Sequence, residues 1–177
     1  MKLDKYARDA VAWRNWAAMN YGASKVLFNT EDLFKYFAAA TLGHHALETY
    51  LKCALIVSGM SVFNPSEIGK LDAGIMLTRE DCAWGHDLVK LGKQLAERNP
   101  NFILDRPVDF PRVVIKNPLT IEEGLAIFVP FFTELRYPQE LKHMEDLSIE
   151  HRWLLDALVK ELRHGRFKWG QLCSEGI

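Results

Sequence analysis

The chain has 177 residues, 49% of them hydrophobic and 25% charged, with a formal net charge of −1. That length suits one domain with a sizeable core, and that composition excludes a disordered chain. The near-zero charge excludes a global basic field, so any nucleic-acid contact has to come from a local patch.

The opening residues, Met1 to Asp9, are charged and lack the apolar core of a signal peptide, so none is expected. No apolar run reaches about 18 residues, so no membrane span is expected either. The cysteines, Cys53, Cys82 and Cys173, are widely spaced. An odd, scattered set fits reduced thiols in a cytoplasm, and the absence of a Cys-x-x-Cys pair gives no sign of zinc.

Leu3 to about Tyr21 is predicted as the first helix, with Leu3, Tyr6, Ala10, Trp13, Ala17 and Asn20 on one face and Trp16 beside it. Gly22 is expected to end it, and a link through Ser24 to Thr30 leads on. Thr30 to Gly59 is predicted as one long helix, capped by Thr30 or Asp32 and closed by Gly59. Leu33, Phe37, Ala40, His44, Leu47, Leu51, Ala54 and Leu55 form a broad apolar stripe, and Ala39, Ala46, Cys53 and Val57 make the opposite flank apolar too. This helix should therefore be central. Between the flanks runs a narrow polar line of Thr41, His45, Glu48 and Lys52, which is either a thin exposed strip or a site.

Asn64-Pro65-Ser66-Glu67 reads as the start of a short helix. Gly85 breaks the chain before a helix over residues 86–96, with Leu88, Leu91 and Leu95 inward and Asp87 in its first turn. Four prolines between Asn99 and Pro118 mark a long irregular connection that is a lid, a partner surface or a wrap around the bundle, with Val113 to Ile115 briefly extended. Thr120-Ile121-Glu122-Glu123 is a capping box, and Pro130 should kink the helix it opens. The last helix is predicted from about Glu140 to Arg163, seamed by Leu147, His151, Leu154, Leu158 and Leu162. No strand pair, repeat or Gly-rich phosphate loop is evident. The predicted class is all-α: a single-domain up-down bundle of four main helices with one or two short extras.

Arg136 and His143 are candidate chemistry. Seven residues apart is about two turns, so on one continuous helix they share a face. His143 could move a proton to or from a ribose hydroxyl, and Arg136 could stabilise charge on the phosphate, without a metal. The plain alternative is an Arg at a helix end and an exposed His, which Pro138 turns apart. Glu48 stands three residues after His45 and four before Lys52. It is either a surface ion pair or a group that orients an Arg or His across the bundle. His44 with Glu48, and Glu140 with His143, have metal-ligand spacings, but a di-iron bundle wants two Glu-x-x-His motifs and only one is present. No metal or cofactor is expected, and His44 reads as a core histidine. Arg163 to Trp169 mixes cations with Phe167 and Trp169, which either pack on the bundle or grip a phosphate backbone.

Four pieces occur in order: Ala-Leu-Glu-Thr-Tyr-Leu-Lys (46–52), Gly-His-Asp-Leu (85–88), Glu-Leu-Arg-Tyr-Pro (134–138) and a closing leucine-seamed helix. This set resembles the HEPN family of prokaryotic helical domains over roughly residues 30–162. The resemblance implies an up-down bundle, commonly a homodimer. It implies a metal-independent endoribonuclease motif, Arg-x4-6-His, mapped onto Arg136 and His143 and supported by Glu48, often in a toxin paired with an antitoxin. Tyr137 and Pro138 stand where toxins usually carry a polar residue after the Arg. Members of the Arg-Tyr-Pro sort also include proteins that bind nucleotides or partner a nucleotidyltransferase. His86, in the Gly-His-Asp-Leu motif, is read first as a helix-start residue that fixes packing.

Overall fold

A computed structural model describes residues 1–30, 32–111, 119–133 and 147–164, with only the backbone of Leu33, Thr133 and His164. The described chain is all-α. Six helices follow in order: α1 (Ala10–Phe28), α2 (Leu33–Val57), α3 (Leu88–Arg98), α4 (Ile121–Phe128), α5 (Pro130–Thr133) and α6 (Ile149–His164). Short 3-10 turns at Lys5–Arg8, Pro65–Lys70 and Arg79–Asp81 join them. Among the described residues there is no strand, only isolated bridges at Ser61–Cys82 and Pro107–Thr120. None of the described helices is long and apolar enough to cross a membrane.

The long helix is central, as its two apolar flanks require: α2 packs against each of the other five helices. Asp32 caps it through the Phe34 amide, and Gly59, at φ +90°, reverses the chain after it in a conformation that a Cβ disfavours. Its single interior glycine, Gly43, marks a close crossing. A Cβ there would stand 3.1 Å from Leu155, 3.2 Å from Phe128 and 3.4 Å from the Ser24 hydroxyl. Helices α1, α4 and α6 can approach α2 at that level because the side chain is missing.

The first helix starts and ends later than expected. Asp9 caps it through the Ala12 amide, and residues 5–8 form a separate 3-10 turn capped by Asp4. Gly22 does not end it. An exposed glycine inside a helix costs about 1 kcal/mol. The packing of Ala17, Ser24 and Phe28 onto α2 outweighs that cost, and Ser24 donates from its hydroxyl to the Ala39 carbonyl at 2.7 Å. Trp16 turns outward and is 63% exposed.

Asn64 caps the 3-10 turn at Pro65, Asp87 caps α3 through the Lys90 amide, and the capping box of Thr120 and Glu123 opens α4. Asp87 thus stands one residue before the helix rather than inside its first turn. At Pro130 the chain breaks into α4 and α5. Within residues 99–111 the connection wraps the bundle, burying Phe102, Val108 and Phe110, and Val108 donates its amide to the Leu119 carbonyl at 2.8 Å. The expected extended stretch at 113–115 lies outside the described residues. Leu147, His151, Leu154, Leu158 and Leu162 are all buried, as the predicted seam requires, but α6 begins only at Ile149, so Leu147 and Ser148, expected inside the last helix, precede it.

Candidate functional site

The polar line on α2 leads inward, into a cluster around one carboxylate. Glu48 is 5% exposed and Lys52 is 4% exposed, so they are not the surface pair that their spacing allows. Lys52 donates from Nζ to Glu48 Oε1 at 2.6 Å. Three imidazoles face the other oxygen, Oε2: His86 Nδ1 at 3.0 Å, His44 Nε2 at 3.6 Å and His45 Nδ1 at 3.7 Å. Two of these come from the same helix at spacings of four and three residues, where side chains share a face. The third arrives from a different part of the chain.

Local backbone chemistry delivers His86. The Ser61 amide donates to Asp81 and the Ala83 amide donates to Ser61, which ties the 80s segment to the loop after α2. Gly85 then turns at φ +100°, a region that glycine enters without strain. The turn brings His86 over Glu48 just before Asp87 caps α3. The Glu48 carboxylate can only accept, so His86 donates through Nδ1–H and presents Nε2 on the far side of its ring.

The Pro130 break delivers the aromatic part of the cluster. Phe132 on α5 stacks between His86, at 4.1 Å between ring centroids, and His44, at 5.2 Å. It also meets the edge of His45 at 5.5 Å. At the end of α4, His44 donates through Nδ1 to the Phe128 carbonyl at 2.9 Å, which leaves its buried Nε2 facing Glu48 with no hydrogen-bond partner. His44 is thus buried as expected of a core histidine, yet it also belongs to the polar cluster.

Burial works to raise the Glu48 carboxyl, but the imidazoles of His44 and His45 and the ammonium of Lys52 pull harder and hold it well below the usual carboxylate range. His44 and His45 stand at 3.6 and 3.7 Å; the short contacts are Lys52 at 2.6 Å and His86 at 3.0 Å. Glu48 is therefore ionised, and it orients rather than titrates.

Beside the cluster opens a cleft of about 610 Å³, lined among others by Tyr6, Trp13, Trp16, Trp84, His45, Lys52 and His86. Lys52 Nζ lies over the Trp13 ring at 5.5 Å and the Trp84 ring at 5.9 Å. The N-terminal segment closes this side, because Val62 donates its amide to Ala7 and Arg8 donates to the Ser61 hydroxyl.

Glu48 is the one predicted site residue placed by the structure. Arg136 and His143 lie outside the described residues, as do Glu140, residues 165–169 of the basic tail and Cys173. Among the described residues no group of three or more His, Cys, Asp or Glu side chains is arranged to hold a metal ion. Cys53 and Cys82 are buried free thiols; Cys53 donates to the Ala10 carbonyl, and burial pushes its thiol up to about 12. Neither is a poised nucleophile. Sequence reasoning missed Phe132, Trp13 and Trp84. Phe132 carries one signal, an aromatic pair directly after a helix-breaking proline; the tryptophans carry none. No family model matches the chain, and neither curated proteins nor solved structures yield a match.

Proposed function

We propose that the chain is a HEPN-type protein that acts on RNA phosphodiesters without a metal. Its four main helices would form an up-down bundle that pairs with a second copy. The observation that carries this reading is the 3.0 Å contact between Glu48 and His86. It joins two of the motifs on which the resemblance rests, 38 residues apart in the chain. The third motif, Glu-Leu-Arg-Tyr-Pro, begins two residues after Phe132, whose ring packs on that same histidine.

In this reading Arg136 stabilises charge on the scissile phosphate, His143 transfers the proton, and Glu48 positions the cationic and imidazole groups around the substrate. The decisive experiment incubates purified protein with mixed RNA in EDTA, beside His143→Ala. Cleavage is expected in the first lane and a loss of at least about 100-fold in the second, the usual range for a general acid–base group. Intact RNA in both lanes rejects the nuclease.

A second reading is favoured by the aromatic cleft: a module that binds a nucleotide, or a partner such as an antitoxin or a nucleotidyltransferase, and does no chemistry. Tyr137 and Pro138 accord with it. A thermal-shift series with a nucleotide panel separates the two, because stabilisation without RNA cleavage selects the binding module.

A further inference from the structure

The cleft beside Glu48 has features that the cleavage reading does not use. Its walls include the indoles of Trp13, Trp16 and Trp84. Trp16 is 63% exposed and Trp84 48% exposed, an unusual degree of exposure for two large aromatics that line one concavity. Its floor is charged and buried. Lys52 and Glu48 line it, although each is at least nine-tenths buried. One Lys52 N–H is engaged by Glu48, and an ammonium carries three donors. At the rim the His86 side chain is half exposed, and Glu48 occupies its Nδ1, so Nε2 remains to meet a ligand.

Apolar flat walls with a few convergent polar groups at the bottom describe a small-molecule site, and about 610 Å³ falls within the usual size range of such sites. Stacking walls call for a flat heteroaromatic ring. A lysine ammonium next to them calls for an anionic oxygen, and an imidazole Nε2 left as an acceptor calls for a hydroxyl. A cationic ligand fits worse, because Lys52 already stands over the Trp13 and Trp84 faces. The geometry points to a nucleotide subsite: a nucleobase stacks on Trp16 and Trp84, its phosphate meets Lys52 Nζ, and His86 Nε2 accepts from a ribose hydroxyl. This deepens the RNA reading and rests on it for substrate class, since it places one nucleotide of the strand beside the Glu48 cluster.

Isothermal titration of the full chain with adenosine 5′-monophosphate tests it. A one-to-one complex that saturates below about 1 mM is expected. Adenosine should bind at least about fivefold more weakly, because it lacks the phosphate. Trp16→Ala and Trp84→Ala should each weaken the nucleotide at least about fivefold, the lower end of what stacking one base contributes. Trp16 is mostly exposed, so its variant retains the fold, and circular dichroism checks this. No heat of binding in the wild type, or unchanged affinity in both Trp variants, overturns the subsite. Equal affinity for adenosine and the monophosphate overturns the phosphate contact. The outcomes remain distinct from those of the cleavage test. Binding of the monophosphate by a protein that leaves RNA intact keeps the subsite and rejects the nuclease; cleaved RNA with no binding of the monophosphate does the reverse.

Discussion

Two carboxylates in this protein collect cations from neighbouring side chains, and they behave differently. Asp156 on α6 accepts from the Tyr21 hydroxyl at 2.6 Å and lies 3.7 Å from Lys25 and 3.9 Å from Arg152. Its side chain is about one-third exposed. Glu48 on α2 has Lys52 and three imidazoles around it and is only 5% exposed. The first cluster fastens α1 to α6, and its reach is shown by the Tyr21 phenol, which burial and then the Asp156 hydrogen bond push well above its usual value. The second joins α2 to the turn before α3 through the Glu48–His86 contact. Buried charge of that kind is rarely the cheapest way to stabilise a core, and it borders a cleft. Similar side chains therefore make a strut around Asp156 and a candidate site around Glu48, and exposure is what separates them.

The largest expected effect comes from truncating the buried carboxylate. Glu48→Ala strands the Lys52 charge in the interior and should cost about 3–5 kcal/mol in urea unfolding. Adding Lys52→Met to it should recover much of that loss, because the uncompensated charge is gone; a double variant as unstable as the sum of its parts would contradict a coupled pair.

An intermediate effect concerns pH. Glu48 has a folded-state value below its unfolded value of about 4.3, so its ionised form adds stability fully above that pH. That contribution falls as pH drops from there toward the folded-state value. The stability gap between wild type and Glu48→Gln should narrow as pH falls below about 4.3. A gap that is constant down to pH 3 would place the ionised carboxylate elsewhere.

The smallest effect belongs to the exposed cluster. Asp156→Asn should cost about 1 kcal/mol or less, and added salt should shrink the difference. A loss as large as that of Glu48→Ala would erase the distinction between the two regions.

Helix chemistry was legible along the chain wherever one local rule acted alone. Asp32, Asn64 and the Thr120–Glu123 box cap the elements they were expected to cap. The apolar flanks of α2 foretold a central helix, and the leucine seam foretold the buried face of α6. Local rules misled at Gly22, where the packing of Ser24 and Phe28 continues a helix that glycine alone would end.

The site divides in the same way. Periodicity alone placed His45, Glu48 and Lys52 on one line, because an α-helix repeats every 3.6 residues. It could not say whether water or another helix covers that line. Only the tertiary structure decided this, through contacts distant in sequence: the Gly85 turn that brings in His86, the Pro130 break that inserts Phe132, and the 3-10 turns and α1 that raise Tyr6 and Trp13 beside Lys52. Local propensity belongs to a residue and its near neighbours. Burial belongs to the assembled chain, and it turned an ordinary Glu–Lys spacing into an ionised centre beside an aromatic cleft.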